Sequence, residues 1–189
     1  MSEIEPQTAT PRFTKQQIRL IALLLIGYSG YYLCRSNLSV ATPLLIEEFG
    51  KQGITKKAIG EIASFGTLFY AFGKFVSGSL SDLLGGKHMF LSGMFGAVVC
   101  SIIFGLGGLP VFTIAWAINR AVQSAGWVGM VQISSRWFSY KVYGAAMGII
   151  SLSFLIGDFV SRLFLGQLIK VGFGWRGLFI ISGITLGVI

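Results

Sequence analysis

Four basic residues of this chain, Arg35, Lys74, Arg120 and Arg162, fall inside stretches that are otherwise apolar. An ionisable group at the centre of a bilayer costs about 2.5–3.5 kcal/mol on insertion scales, so such residues persist where they are paired or where they act. The acid that falls well inside an apolar stretch is Asp158, four residues before Arg162 on the same helical face, a spacing that lets the two bridge within one helix. We read Asp158 and Arg162 as a structural pair. Arg35, Lys74 and Arg120 are left as three interior cations without a carboxylate, to be balanced by acids from outside this chain or by an anion.

Helical spacing assigns these cations to faces. On the first span Tyr28, Tyr31 and Tyr32 precede Arg35 by seven, four and three residues, and Ser39 and Thr42 follow it by four and seven, giving one polar and aromatic stripe. On the second span Thr67, Tyr70, Ser77 and Ser81 repeat the arrangement around Lys74, with Gly73 and Gly78 beside it. Arg35 and Lys74 each lie within roughly 4–6 Å of a span centre at 1.5 Å of rise per residue. Two cations at one depth predict a shared cavity; the alternative is that each snorkels or bonds a neighbouring helix carbonyl. Arg120, with Trp116, Gln123, Ser124 and Trp127 on its face, suits either the same cavity or the backbone carbonyls of an adjacent helix.

The elements that must hold these residues are six apolar stretches, expected over residues 18–46, 58–81, 88–108, 110–137, 142–169 and 176–189. They dominate a 189-residue chain that is 53% hydrophobic and 12% charged, with a mean hydropathy of +0.75. That charged share is about half of an ordinary soluble domain's, so the expected fold class is an all-α integral membrane protein, a six-helix bundle. Residues 1–17 are polar and lack the features of a cleavable signal, which makes them a tail and the first helix a retained span. The fourteen residues from Arg176 to Ile189 make about 21 Å of helix, short for a span, so the sixth helix reads as truncated and the chain as a fragment. The 26 glycines suit close helix approach, and Gly144-x-x-x-Gly148 has the small-xxx-small spacing; Pro43 is placed to kink the first helix. Trp137 and Trp175, at span ends, are expected as interfacial anchors, and the loop cations weakly favour a cytoplasmic N-terminus.

Several function classes are disfavoured by composition. The net charge of +8 resides partly inside the spans, and no loop cluster of Lys/Arg with interleaved aromatics offers a nucleic-acid face. One histidine, and two cysteines (Cys34 and Cys100) within spans, support neither a metal site nor a disulfide framework, and no nucleophile–base pair or phosphate-cradling glycine loop is present for catalysis. No cofactor and no enzymatic role are expected.

The stretch Gly78-Ser-Leu-Ser-Asp82-Leu-Leu-Gly85-Gly86-Lys87 resembles the loop signature between the second and third spans of the major facilitator superfamily, departing at Leu83 and Gly86, where basic residues are usual. Arg120-Ala-Val-Gln123-Ser-Ala-Gly126 resembles that superfamily's fourth-span motif, interrupted by Ser124. Within it, Gly27-Tyr28-Ser-Gly-Tyr31-Tyr32-Leu-Cys-Arg35-Ser-Asn37 and Tyr70-Ala-Phe-Gly-Lys74-Phe-Val-Ser-Gly78 resemble the first two spans of the organophosphate:phosphate antiporters, with Gly126-Trp127 and Trp137-Phe-Ser139 matching further on. A histidine common near the Arg136 position is missing, and Gly157-Asp158 lacks the Pro-Gly antiporter pattern.

The resemblance implies the N-terminal half of a twelve-helix fold built as a 3+3 inverted repeat, in a bacterial cytoplasmic membrane. It implies exchange of glycerol 3-phosphate or a sugar phosphate for inorganic phosphate by alternating access, with the C-terminal six helices and the bilayer as partners. Arg35 would hold the phosphate, Lys74 would add positive potential, and Tyr28 and Tyr32 would meet the rest of the ligand; Tyr70 and Arg120 are candidate ligand-facing residues from their own positions on the second and fourth spans. Gly78, Asp82, Gly85 and Lys87 would form a conformational loop motif. A sugar-phosphate receptor of the same fold and a proton-coupled symporter using Asp158 are the alternative readings.

Overall fold

The computed structural model describes residues 13–189. Its regular elements are helices: α1 (Lys15–Tyr31), α2 (Leu33–Phe49), α3 (Lys56–Leu84), α4 (Gly86–Leu106), α5 (Leu109–Trp137), α6 (Tyr140–Lys170) and α7 (Trp175–Val188). Of the tail expected over 1–17, residues 1–12 lie outside the described residues and Lys15–Gln17 already belong to α1. Thr14 starts that helix with a capping box, its Oγ1 accepting from the Gln17 N–H at 3.3 Å while its own N–H donates to Gln17 Oε1 at 3.0 Å. Thr55 starts α3 by accepting from the Ala58 N–H at 3.2 Å.

The helices α1 and α2 are one span with a local fault, so the six expected spans are recovered within a few residues. The fault is at Tyr32 rather than at Pro43. Tyr32 keeps right-handed dihedrals (φ −70°, ψ −21°), but its N–H turns to the Ser29 carbonyl at 3.0 Å, a tightened turn beside the Ser29–Gly30 pair. Pro43 lies within α2, which runs on to Phe49. The α1–α2 span, α4 and α6 are long and apolar enough to cross a membrane. The 29-residue helices α3 and α5 are of spanning length too, and they carry Lys74 and Arg120.

Connections of one to six residues make successive spans antiparallel. Helix α5 lies between α3 and α4, α6 packs on α1, and α7 packs on α4 and α2. Thus α3 rests on α5 as α6 rests on α1, and α4 on α5 as α7 on α2. That is the pairing a repeat of three spans produces, and an odd number of spans inverts the second copy.

Backbone contact sets the tightest seams. Gly85, the single residue between α3 and α4, has φ +80°, which a side chain would strain. Gly86 follows it against α5: a Cβ there would lie 2.7 Å from the Gly129 carbonyl oxygen and 2.9 Å from the Ile133 nitrogen. This departure from the loop signature is therefore a packing requirement of the α4–α5 seam. The Gly144/Gly148 spacing does not mark such a seam, because a Cβ at either position meets open space; α6 packs instead through Val142, Ala146, Ile150, Ser153, Gly157, Ser161 and Leu165.

At the opposite end of the bundle an aromatic core joins α2, α4, α5 and α7. Phe104 stacks on Phe112 and on Phe179, with ring centroids 4.5 and 4.0 Å apart. Trp175, expected as an interfacial anchor, is only 2% exposed in this core, and its indole N–H donates to Glu48 Oε2 at 2.7 Å. An apolar ring with a satisfied N–H gains more from that packing than from the interface. Trp137 is half exposed, as an anchor should be.

In lipid, association depends on such close packing more than on apolar burial. Gly86→Val is expected to lower the yield of monodisperse full-length protein in detergent several-fold and to depress its melting temperature, whereas Gly144→Ala leaves both near the parent values. Size-exclusion chromatography with a thermal melt checks the contrast, and equal behaviour of the two variants would contradict the assigned seam.

Candidate anion-binding site

Three helices converge on one aromatic ring. Tyr70 on α3 has the Arg35 guanidinium of α2 at 5.1 Å from its ring centroid, the Arg120 guanidinium of α5 at 4.9 Å and the Lys74 ammonium of its own helix at 5.1 Å. Arg35 and Arg120 line one cavity, whereas Lys74, expected to share it with Arg35, is exposed and meets the cluster through the Tyr70 ring instead. Arg120 makes no bond to a backbone carbonyl among the described residues. Arg35 also lies 4.7 Å from the Tyr32 ring and 5.9 Å from that of Tyr28, and its Nη1 donates to the Tyr32 hydroxyl at 3.2 Å. All six residues singled out as ligand-facing are therefore in one neighbourhood.

Arg120 reaches Tyr70 because α3 has no side chain at Gly66. A Cβ there would lie 2.6 Å from the Trp116 ring and 2.9 Å from Arg120 Cγ. One turn of α3 separates Gly66 from Tyr70, so the same small residue that seats α5 also delivers the arginine.

A buried amide chain fixes the Arg35 plane. Arg35 Nε donates to Gln123 Oε1 at 3.0 Å, and Gln123 Nε2 donates to the Cys34 carbonyl at 3.2 Å and to Asn119 Oδ1. Asn119 Nδ2 in turn donates to Ser101 Oγ on α4 at 3.1 Å. Sequence reading placed Gln123 on the Arg120 face and missed its bond to Arg35, because that bond crosses between helices. Asn119 and Gln123, spaced i,i+4 in an apolar helix, were the available signal.

The chain leaves specific donors unused. Arg35 Nη2, Arg120 Nη1 and Trp116 Nε1 are buried without a hydrogen-bond partner among the described residues. Each such donor costs about 1–3 kcal/mol, more when charged, unless a ligand satisfies it. Arg35, Arg120 and Trp116 line one cavity of about 360 Å³, together with Ser39 and Thr42 of α2 and Lys56, Gly60, Ala63 and Thr67 of α3. Its volume is in the range of small-ligand sites.

Asp158 and Arg162 meet as their spacing predicts, Arg162 Nε donating to Asp158 Oδ2 at 2.8 Å. The pair also ties α6 to α2, through Ser36 Oγ donating to Asp158 Oδ1 at 2.6 Å and Arg162 Nη1 donating to Ser39 Oγ at 3.4 Å. It is less interior than its sequence position implied, with Asp158 38% and Arg162 49% exposed. This is the one ion pair among the described residues, so no carboxylate neutralises the cluster at Tyr70.

The loop motif stands apart from that cluster. Asp82 is exposed and Gly78 has open space at its Cβ position, while Gly85 is the turn described above. Lys87 lines a separate apolar groove with Arg136, which sits in the last turn of α5, about 24 Å of helix from Arg120.

The chain is similar to several known proteins. The chain is 29% identical over 181 residues to a probable hexose phosphate transport protein of Chlamydia muridarum, which covers 95% of this chain and 39% of that protein. It is 26% identical over 181 residues to the glycerol-3-phosphate transporter of Bacillus subtilis, with 91% and 39% covered, and 24% identical over 179 residues to the membrane sensor protein UhpC of Salmonella typhimurium, with 94% and 40% covered. The chain thus spans about two fifths of the length of these relatives, two of them named for transport of hexose phosphate or glycerol 3-phosphate and one as a membrane sensor. Residues 24–189 match the Major Facilitator Superfamily. With that match across most of its length and an all-helical bundle of paired three-span units, this multi-pass membrane protein belongs to the Major Facilitator Superfamily.

Proposed function

We propose that the full-length protein exchanges a phosphorylated organic anion, glycerol 3-phosphate or a sugar phosphate, for inorganic phosphate by alternating access, and that this chain supplies one half of its site. The observation that carries the reading is the uncompensated charge at Tyr70. Arg35, Lys74 and Arg120 each lie about 5 Å from one ring centroid, so no two are more than about 10 Å apart. At an effective dielectric of about 20, each pair repels by roughly 1.7 kcal/mol or more, on the order of 5 kcal/mol for the three. Cation–π attraction returns about 0.5–1 kcal/mol per cation at ordinary exposure, which leaves a deficit that a dianion among them removes. The Arg35 fork, held by Gln123, presents a plane suited to phosphate oxygens, and Lys74 adds charge without geometry.

A cluster stable only when filled resists reorientation when empty, which is the physical basis for obligatory exchange. A second six-span bundle closes the other side of the site, and the protein lies in the cytoplasmic membrane with its N-terminus inside. The likeness to a sensor supports one other reading, a receptor that binds the same ligand without moving it.

Counterflow of radiolabelled phosphate into proteoliposomes separates these. The full-length protein is expected to exchange phosphate, Arg35→Ala and Arg35→Lys to lose exchange with insertion intact, and Lys74→Ala to lose it less completely. Parental rates in either Arg35 variant would overturn the assignment of the phosphate site, and binding without counterflow would favour the receptor.

Asp158 and Arg162 act, in this proposal, as a clasp between α6 and α2. Asp158→Asn alone is expected to reduce expression and thermal stability more than Asp158→Asn combined with Arg162→Gln, because the single change strands Arg162 without its counter-charge. A double variant worse than either single, measured by the same melts, would contradict the clasp; normal expression of Asp158→Asn with loss of proton-driven uptake would make Asp158 a coupling residue.

A further inference from the structure

The cavity wall presents two kinds of polar group, donors without a partner and hydroxyls already committed. Its unpartnered donors, Arg35 Nη2, Arg120 Nη1 and Trp116 Nε1, are buried groups of the wall. Two of the wall hydroxyls are committed the other way: Thr42 Oγ1 donates its proton to the Leu38 carbonyl at 2.8 Å, and Thr67 Oγ1 donates to the Ala63 carbonyl at 3.0 Å. With their protons spent on the preceding turn, these oxygens face the cavity as acceptors only. Inorganic phosphate, whose one or two P–O–H protons stay within its own small tetrahedron at the cations, does not extend along the wall to both of them. A carbon chain bearing hydroxyl donors does.

Resting on the exchange reading above, we propose that Thr42 and Thr67 recognise the hydroxyl groups of the organic ester, and so set the preference for a phosphorylated polyol or sugar over inorganic phosphate. Both lie on the same side of the cations. Thr67 is three residues, about 4.5 Å of helix, before Tyr70 on α3, and Thr42 is seven residues, about 10 Å, beyond Arg35 on the antiparallel α2. Thr67 therefore meets the carbons nearest the phosphate and Thr42 the far hydroxyls of a longer chain. Gly60 and Ala63 keep the α3 wall between Thr67 and Lys56 free of bulk, which leaves room for that chain.

The test is displacement of radiolabelled phosphate from purified full-length protein by inorganic phosphate, glycerol 3-phosphate and a hexose phosphate, a readout that does not require transport. In Thr67→Val, the concentration of either ester needed for half displacement, relative to that of phosphate, is expected to rise roughly five- to tenfold, the loss of one hydrogen bond to a neutral group. In Thr42→Val the same rise is expected for the hexose phosphate and little for glycerol 3-phosphate, and Thr→Ser at each position restores the parental ratio. If a Val variant does not fold, Thr→Ala at that position carries the same expectation. Unchanged ester-to-phosphate ratios in the substituted proteins, with phosphate binding still abolished by Arg35→Ala, would overturn this assignment and leave the phosphate site standing. Failure of the unsubstituted protein to bind phosphate would overturn both.

Discussion

Three positive charges gathered on one tyrosine in a low-dielectric setting are the constraint that the rest of this bundle accommodates. The cluster is built from three helices that are distant in sequence, so its geometry exists only when α2, α3 and α5 are packed. Among the described residues no carboxylate pairs with it. Whatever low-dielectric surroundings strengthen the repulsion among the three would strengthen the attraction of an anion in the same proportion.

The scaffold meets that constraint with neutral polar groups and small residues. Gln123 and Asn119 carry hydrogen bonds from Arg35 across α5 to Ser101 of α4 without adding charge. A carboxylate in place of Gln123 would neutralise Arg35 and blunt its need for a ligand; an amide orients the guanidinium and leaves its charge available. Gly66 admits Arg120, and the Gly86–Gly129 contact holds α4 against the far side of α5. The aromatic core around Phe104 and Trp175 then braces the end of the bundle where α2, α4 and α7 meet.

Much of this was legible in the residues. The i, i+3 and i, i+4 spacing of Tyr28, Tyr32 and Arg35, and of Tyr70 and Lys74, places side chains on one face of one helix, and that much a single helix dictates. The convergence of the two stripes followed from depth alone, since two interior cations at one level seek one polar space. What spacing does not carry is the partner across a helix boundary. Gln123 was visible as a neighbour of Arg120 in sequence, yet it bonds Arg35, a choice made by how α5 is rotated against α2. Glycine patterns misled for the same reason: Gly144-x-x-x-Gly148 has the right period on the wrong face of α6, while Gly86 and Gly129 form a seam from two different helices. Trp175 was read from its place at a span end, but the aromatic core and Glu48 outweigh the interface. At Tyr32 the fault arises where Ser29 and Gly157 bring α1 and α6 into backbone contact, whereas Pro43 sits exposed within an unbroken α2.

The most direct measurement is the melting temperature of purified full-length protein against phosphate concentration, with glycerol at matched concentrations as the uncharged control. A cation cluster that is stable only when filled predicts a rise with phosphate that sets in near half-saturation and follows the logarithm of concentration above it, and none with glycerol. A melting temperature indifferent to phosphate, or raised equally by glycerol, would contradict it.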